Sequence, residues 1–323
     1  MLLTIAIPTY KRPELLKKCL SSIFEQIDED NVSVVVIDDS VSNVNDDVFE
    51  WATRQCKTFR YIKNETNVGI DHNIEKCLNI ESTEYLLVLG EDDVVLPNAI
   101  SKILTILKRD KVDIIFTSYV YMDNELKNIV RKPFENINKH MTNEEFVKEY
   151  LWAIGFIGSI IFSTSLINKS NERFLGTYFN HVGRVSMGLD SSSIIYYSSE
   201  ALIGNRSDDI SSTTWSTSFY DVLFGFERLM DMLSRKAPFG ELYLDAKKSF
   251  KDSMKHHSFP RILEMRSVGI YTEDVYNKYF SKECGTTLTK FMFWSAALVP
   301  KKILQPYRQL FNLVRKFKRH LTY

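Results

Sequence analysis

The chain has 323 residues, 44% of them hydrophobic, enough to bury a sizeable core as one large domain or as one domain with an appended unit. Lys+Arg 41 against Asp+Glu 41 leaves no net charge, which argues against a nucleic-acid partner and requires any charged ligand to be recognised locally. Cys19, Cys56, Cys77 and Cys284 stand far apart without a Cys-x-x-Cys pair, which argues against a zinc site or a thioredoxin-like motif and reads as reduced, cytosolic thiols. The amino terminus has no basic leader region and its apolar run breaks at Pro8, so no signal peptide is expected. No segment reaches the roughly 20 apolar residues that a membrane span needs.

Leu2-Leu3-Thr4-Ile5-Ala6-Ile7 reads as a short buried strand that runs into Pro8-Thr9-Tyr10-Lys11-Arg12-Pro13. Pro13 starts a helix on which Leu15, Leu16, Cys19, Leu20, Ile23, Phe24 and Ile27 recur at helical spacing. A second strand, Val32 to Ile37, ends in Asp38-Asp39-Ser40. A helix from about Asp46 to Cys56 and a third strand, Phe59 to Ile62, follow. Asn67-Val68-Gly69-Ile70-Asp71-His72-Asn73 opens the next helix, which carries Ile74, Cys77, Leu78 and Ile80 on one side.

The fourth strand is Tyr85-Leu86-Leu87-Val88-Leu89, an uncharged run that reads as buried on both faces. It delivers Gly90-Glu91-Asp92-Asp93 to its carboxyl end before Pro97 opens a helix to about Lys108. Three adjacent acids repel one another unless a cation or a ligand group offsets their charge, and clustered carboxylates suit Mg²⁺ or Mn²⁺. The plainer alternative is that Asp92 or Asp93 caps the helix, a task for which one acid suffices. Val112 to Tyr121 is a fifth strand.

Strands alternating with helices predict an α/β fold, a mostly parallel sheet flanked by helices. Right-handed crossovers then bring Thr9 to Arg12, Asp38-Asp39 and Glu91 to Asp93 to one edge, where ligands of open α/β sheets bind.

Beyond Lys132 the pattern changes. Thr142-Asn143-Glu144-Glu145 is a capping box before a helix bearing Phe146, Tyr150 and Leu151. The uncharged stretch from Leu151 to Ile167 reads as a buried strand with flanking turns. A loop, Phe174-Leu175-Gly176-Thr177-Tyr178-Phe179-Asn180-His181, precedes a strand around Ser193 to Tyr197 and the segment Ala201 to Asp209. From about Ser216 the chain reads as helical to its end. Leu298 to Tyr323 carries Lys301, Lys302, Arg308, Arg315, Lys316, Lys318 and Arg319, interleaved with apolar residues and without an acid. Such a basic amphipathic stretch suits an anionic membrane surface, although a packing helix with a solvated basic face has the same composition.

Four motifs in order, Ile7-Pro8-Thr9-Tyr10-x-Arg12, Val36-Ile37-Asp38-Asp39-Ser40, Asn67-x-Gly69 and Glu91-Asp92-Asp93-Val94-Val95-Leu96-Pro97, resemble family 2 glycosyltransferases of the GT-A fold. The second half is similar to the branch that includes bacterial O-antigen abequosyltransferases, through Gly158 to Phe162, Gly176 to His181 and Leu202 to Asp209. The resemblance implies a GT-A catalytic domain over residues 1–215, with a nucleotide-sugar half at 1–110 and an acceptor half at 111–215. A helical region would follow at 216–323.

It also implies an inverting transfer from a nucleoside diphosphate sugar to a glycan or lipid-linked acceptor in surface polysaccharide synthesis, on the cytoplasmic face of the membrane. Pro8, Thr9, Tyr10 and Arg12 would line the nucleotide pocket, Asp38 or Asp39 would take a hydrogen bond from the base, and Asp92 would contact the ribose. Asp93 would hold Mn²⁺ or Mg²⁺ on the diphosphate, with Glu91 beside it.

Asn67 and Gly69 suit either donor contact or a turn before a helix; Arg12 suits a solvated helix start and Tyr10 a core edge as well. Arg206 would bind the diphosphate or pair with an aspartate. Many relatives place an acidic pair before the last helix of the catalytic domain, where this chain has Asn180-His181. His181 is therefore a candidate base or metal ligand, with Asp190, Asp208 and Asp209 as carboxylate alternatives for the base. Two rival readings are a sugar nucleotidyltransferase, for which Pro8 to Arg12 lacks the usual glycines, and a non-catalytic glycan-binding or scaffold member.

Overall fold

In the computed structural model, the described residues are 1–80, 83–132, 141–206, 218–283 and 285–307. Two parallel strands, β1 (Leu3–Thr9) and β2 (Val32–Asp38), are buried along their whole length and pair in register from Leu3 with Val32 to Thr9 with Asp38. Their uncharged runs suit that position, because helices cover both faces of a parallel sheet. Outside β2 lies β3 (Phe59–Lys63), an edge strand whose side chains alternate between buried and more exposed positions. On the other side of β1, β4 (Tyr85–Val88) is again parallel. The sheet order is β3-β2-β1-β4-β8-β6-β9-β5, with β7 (Ile129–Arg131) beside β6.

The expected fifth strand forms as β6 (Ile114–Met122), but it does not pair with β4. Between them runs β8 (Ile160–Ser163), antiparallel to both, from the uncharged stretch read as a buried strand. The long β9 (Ile195–Arg206) is parallel to β6 and pairs Met122 with Arg206 at its end. The short β5 (Val94–Val95) pairs antiparallel with β9, Val94 with Gly204. Because β8 is antiparallel to both of its neighbours, the carboxyl ends of β1, β2, β4, β6 and β9 share one edge. The sheet is thus mixed and mostly parallel.

One face is covered by α1 (Pro13–Phe24), α2 (Asp46–Gln55) and α4 (Ala99–Arg109), whose buried side chains share one core with the sheet. The other contacts of β1, β2 and β4 include α3 (Ile70–Leu78), which also packs on α7 (Asn180–Gly188). Shorter turns of helix, α5 (Asn143–Glu145) with its capping box and α6 (Thr164–Ile167), flank β8 in sequence. Pro97 does not open α4. Its N-cap is Asn98, in the left-handed region at φ 63°, with β5 intervening between the acids and the helix. Asn180 and His181, expected in a loop, form the first turn of α7.

The chain divides into two units, Met1–Asp208 with Arg228–Lys247, and Asp209–Glu227 with Lys248–Tyr323. Helices α8 (Phe219–Lys236) and α9 (Leu242–Met254) each contribute to both. The second unit holds α10 (Phe259–Val268), α11 (Glu273–Val275), α12 (Ser281–Glu283) and α13 (Thr287–Leu298). Its core is aromatic, built from Tyr220, Phe224, Tyr271, Phe280 and Phe293 with Ile262 and Met265. Among the described residues no helix is long and apolar enough to cross a membrane.

Candidate active site

The three acids occupy a tight turn at the end of β4. Asp93 N–H donates to the Gly90 carbonyl at 3.1 Å, and a Cβ on Gly90 would lie 2.6 Å from Asp93 Oδ2, so glycine is what lets this carboxylate fold back over the turn. The acids therefore cap no helix; they are presented at the sheet edge, where Glu91 and Asp92 share Arg12 and Asp92 and Asp93 share Arg206.

Glu91 turns back to β1. Its Oε2 accepts from the Thr9 hydroxyl and from Tyr10 N–H at 3.0 Å, and Arg12 Nε lies 3.6 Å from Oε1. It thereby fixes the Pro8 to Arg12 segment. Burial pushes its carboxyl up to about 7, against the lowering effect of the hydrogen bonds from Thr9 and Tyr10. Asp92 lies between two guanidiniums, Arg12 Nη1 at 3.0 Å and Arg206 Nη2 at 3.2 Å. Asp93 is buried and accepts from Asn205 Nδ2 at 3.2 Å and Arg206 N–H at 3.3 Å. Burial, then repulsion from Asp92, raises its carboxyl well above the usual range.

The two arginines offset Asp92, while Asp93 remains poorly compensated. That donor set fits a hard divalent cation held by one or two carboxylates together with phosphate oxygens. Asp92 and Asp93 would hold such an ion, and it would offset negative charge developing on a leaving diphosphate.

At the end of β2 both aspartates are buried and engaged. Asp38 accepts from Ser40 N–H at 2.9 Å and the Tyr61 hydroxyl at 3.2 Å. Asp39 accepts from Asn64 Nδ2 and from the main-chain N–H groups of Val68 and Gly69, all within 2.8–2.9 Å. It thus holds the Asn67-Val68-Gly69 turn, where the Asn67 side chain accepts from Gly69 N–H and Gly69 has φ +82°. Lys11, at φ 56°, donates its N–H to the Ser40 hydroxyl, and Tyr10 stays 40% exposed.

Sequence reasoning missed the acids of α3, just beyond that turn. Asp71 Oδ2 accepts from Gly176 N–H at 2.6 Å and Tyr178 N–H at 3.2 Å, while its Oδ1 is buried without a hydrogen-bond partner. One turn along α3, Glu75 accepts from Asn180 Nδ2 and pairs with Arg173 and Arg184. One face of α3 therefore grips the Phe174 to Asn180 loop. The only hint in the sequence was an acid two residues past Gly69. Asn205 was likewise visible only as a member of a longer motif.

Neither His181 nor Asp190 makes a hydrogen bond or ion pair with the acids. His181 is 2% exposed, and its Nε2 lies 2.9 Å from the Ile154 carbonyl, so that nitrogen carries the proton. Burial lowers its pKa to about 4. Nδ1, which then holds the lone pair, is buried without a hydrogen-bond partner, so neither ring nitrogen is open to solvent. Asp190 precedes β9 and so lies at the opposite edge of the sheet, bound to Lys169 Nζ at 2.6 Å and to Ser192. These partners, Lys169 first, hold its carboxyl far below the usual range. Asp208 and Asp209 lie outside the described residues.

Among the described residues, one set of three His, Cys, Asp or Glu side chains converges closely, and it belongs to the helical unit. His256 Nε2 and His257 Nε2 each lie 2.6 Å from Glu227 Oε1, with Lys251 Nζ 3.4 Å from Oε2. Burial opposes ionisation of Glu227, but the two imidazole hydrogen bonds outweigh it and keep the carboxyl well below its ordinary range.

Residues 4–169 match the family described as glycosyl transferase family 2, just over half of the chain. The chain belongs to this family. The matched stretch covers β1 through the acid turn and β8; Arg206, His181 and Asp190 lie beyond it. An uncharacterised glycosyltransferase of Methanocaldococcus jannaschii is 30% identical to the family 2 chain over 158 residues, covering 46% of it and 52% of that protein. The abequosyltransferase RfbV of Salmonella typhimurium is 25% identical over 109 residues, 33% of each. The chain spans about half the length of the first curated relative and a third of the second.

Solved structures extend the likeness in fold to nearly all of the chain. S. aureus TarS 1-349, in complex with UDP-GlcNAc, superposes with a TM-score of 0.62 at 14% identity, covering 96% of this chain and 92% of that one. Mannosyltransferase PcManGT from Pyrobaculum calidifontis, in complex with GDP-Man and Mn²⁺, gives 0.55 at 15% identity, with 95% and 82% covered. At such identities the likeness shows the fold, and the GT-A architecture expected from the motifs stands.

Proposed function

We propose that this family 2 chain is an inverting glycosyltransferase. It moves a sugar from a nucleoside diphosphate sugar to a glycan acceptor, lipid-linked, in the synthesis of a bacterial surface polysaccharide. The observation that carries the reading is the meeting of Thr9 to Arg12, Asp38-Asp39, the Glu91 to Asp93 turn and Arg206 at one sheet edge, from four separate strands. Stability alone does not require charged groups from β1, β4 and β9 to meet there.

In this reading Pro8, Thr9, Tyr10 and Asp38 or Asp39 receive the nucleoside, Asn67 and Gly69 shape its border, and Asp92 takes the ribose. Arg12 and Arg206 engage the diphosphate. Asp93, with Asp92, holds Mn²⁺ or Mg²⁺. The base is Asp208 or Asp209, which follow Arg206 closely in sequence. The basic stretch Leu298 to Tyr323 keeps the protein at the inner face of an anionic membrane, where a lipid-linked acceptor resides.

A second reading, a glycan-binding or scaffold member without turnover, is favoured by Asn180-His181 at the place where the family resemblance implies an acidic pair. Both are tested by thermal melting with UDP, GDP, CMP, CDP and dTDP, each with and without Mn²⁺, followed by hydrolysis of the matching sugar nucleotide. A metal-dependent shift with one nucleotide plus hydrolysis supports the enzyme, since a ligand bound only by the folded state raises its melting temperature. A shift without hydrolysis supports the scaffold, and no shift with any nucleotide counts against the donor site.

A further inference from the structure

Helix α13 carries Lys290 as its one charged residue, and its large apolar side chains are spread round the circumference, a composition close to that of a helix buried all round. Only half of it is buried. Phe293, Ala296 and Ala297 enter the aromatic core of the helical unit, where the Phe293 ring lies 5.6 Å from that of Phe280. The Tyr271 hydroxyl donates to the Phe293 carbonyl at 3.2 Å, which fixes the rotation of the helix.

The opposite stripe is left to solvent. Leu288 is 68% exposed, Phe291 60%, Trp294 38% and Leu298 47%, followed by Ile303 at 66%. Single exposed apolar residues need no explanation, but a contiguous stripe marks an interaction site.

Charge decides what covers it. From Gly285 to Tyr323 the sequence has eight Lys and Arg residues, Lys290, Lys301, Lys302, Arg308, Arg315, Lys316, Lys318 and Arg319, and no Asp or Glu. A second copy of the chain docked by the same face would set this all-basic segment against itself, which like-charge repulsion opposes. An anionic lipid surface satisfies both features. Its headgroups attract the lysines, and its acyl boundary takes up Leu and Phe while an indole ring settles at the interface.

We infer that the exposed face of α13 is a membrane-docking surface that seats Leu288, Phe291, Trp294 and Leu298 in the headgroup boundary of an anionic bilayer. It rests on the membrane association proposed above and assigns insertion to a folded helix face, leaving the basic tail to supply attraction. Trp294 then sits at the water–lipid boundary and reports on it directly.

The test is sedimentation of the full chain with vesicles of equal parts phosphatidylglycerol and phosphatidylcholine, and with phosphatidylcholine alone. Wild type is expected on the anionic vesicles. A variant carrying Leu288→Ser, Phe291→Ser and Leu298→Ser should lose about tenfold in partitioning while melting like wild type, because these side chains lie outside the aromatic core. As a readout needing no core change, brominated lipid should quench wild-type fluorescence and fail to quench a Trp294→Phe variant further.

The inference falls if the serine variant binds like wild type while Arg315→Glu, Lys316→Glu and Lys318→Glu together abolish binding; the tail reading would then survive alone. Wild type bound to neither vesicle would overturn both. Self-association that the serine variant loses, without vesicle binding, would assign the face to a second copy and overturn the inference as well.

Discussion

The Arg206 guanidinium meets the Asp92 carboxylate at 3.2 Å across 114 residues of sequence, and the main-chain N–H of the same Arg206 donates to Asp93. A single residue at the end of β9 thus touches both acids that would flank a donor diphosphate. Arg12, at the N-cap of α1, approaches Asp92 at 3.0 Å, so two cations compete for one carboxylate. Such a pair is easily opened by a ligand carrying its own anionic oxygens, because guanidinium–phosphate contacts replace guanidinium–carboxylate ones in kind.

Arg206→Gln should therefore weaken nucleoside diphosphate binding by about tenfold or more, the cost of losing a hydrogen bond to a charged group. The matching nucleoside, which lacks phosphates, should bind the variant as it binds wild type. Calorimetric titration of both ligands checks this, and an equal loss for nucleoside and diphosphate would place Arg206 outside the diphosphate contact.

Asp93→Asn keeps the shape that accepts from Asn205 and Arg206 while removing a buried charge that burial and Asp92 both oppose. Folding stability should stay within about 1 kcal/mol of wild type or rise. The Mn²⁺-dependent part of the nucleotide-induced melting shift should vanish. If that part persists in full, the metal belongs elsewhere.

Asp71 accepts two main-chain N–H groups from a loop whose Gly176 and Tyr178 both have positive φ, at 79° and 66°. A tyrosine held there is strained and needs outside support. Asp71→Ala should cost about 2 kcal/mol and accelerate hydrogen exchange at Gly176 and Tyr178 in particular, with little change in donor binding. Exchange unchanged in that loop would show that other contacts suffice to hold it.

The strands and the acid turn were legible because their signals are local. Uncharged runs that end in polar or charged residues, acids after β2 and β4 and Thr9 to Arg12 after β1, identify these strands and their carboxyl ends without any knowledge of neighbours. The direction of β8 was not legible, since Ile160 to Ser163 is a short apolar run that reads alike in either sense. Nor was the pairing of Asp71 with Gly176, because a contact spanning 105 residues leaves no periodicity behind. The burial of His181 was not legible either: the Gly-Thr-aromatic stretch before it reads as a loop, whereas α7 buries eight of its nine residues and turns the imidazole inward.

That inward turn predicts an acid-sensitive fold. The pKa of His181 is lowered from 6.5 to about 4 by burial, so the folded protein resists taking up a proton that the unfolded chain accepts. The sign is set by that difference. The stability is present above pH 6.5 and is lost as pH falls toward 4, by up to about 3 kcal/mol from this residue. His181→Gln has no charge to gain and can still donate to the Ile154 carbonyl. The stability difference between variant and wild type should therefore grow in favour of the variant by about 3 kcal/mol between pH 6.5 and 4, since every other histidine is common to both proteins. Urea unfolding across that range measures the difference directly. Parallel curves would mean that the imidazole is already solvated in the folded state, which would restore His181 as a candidate base.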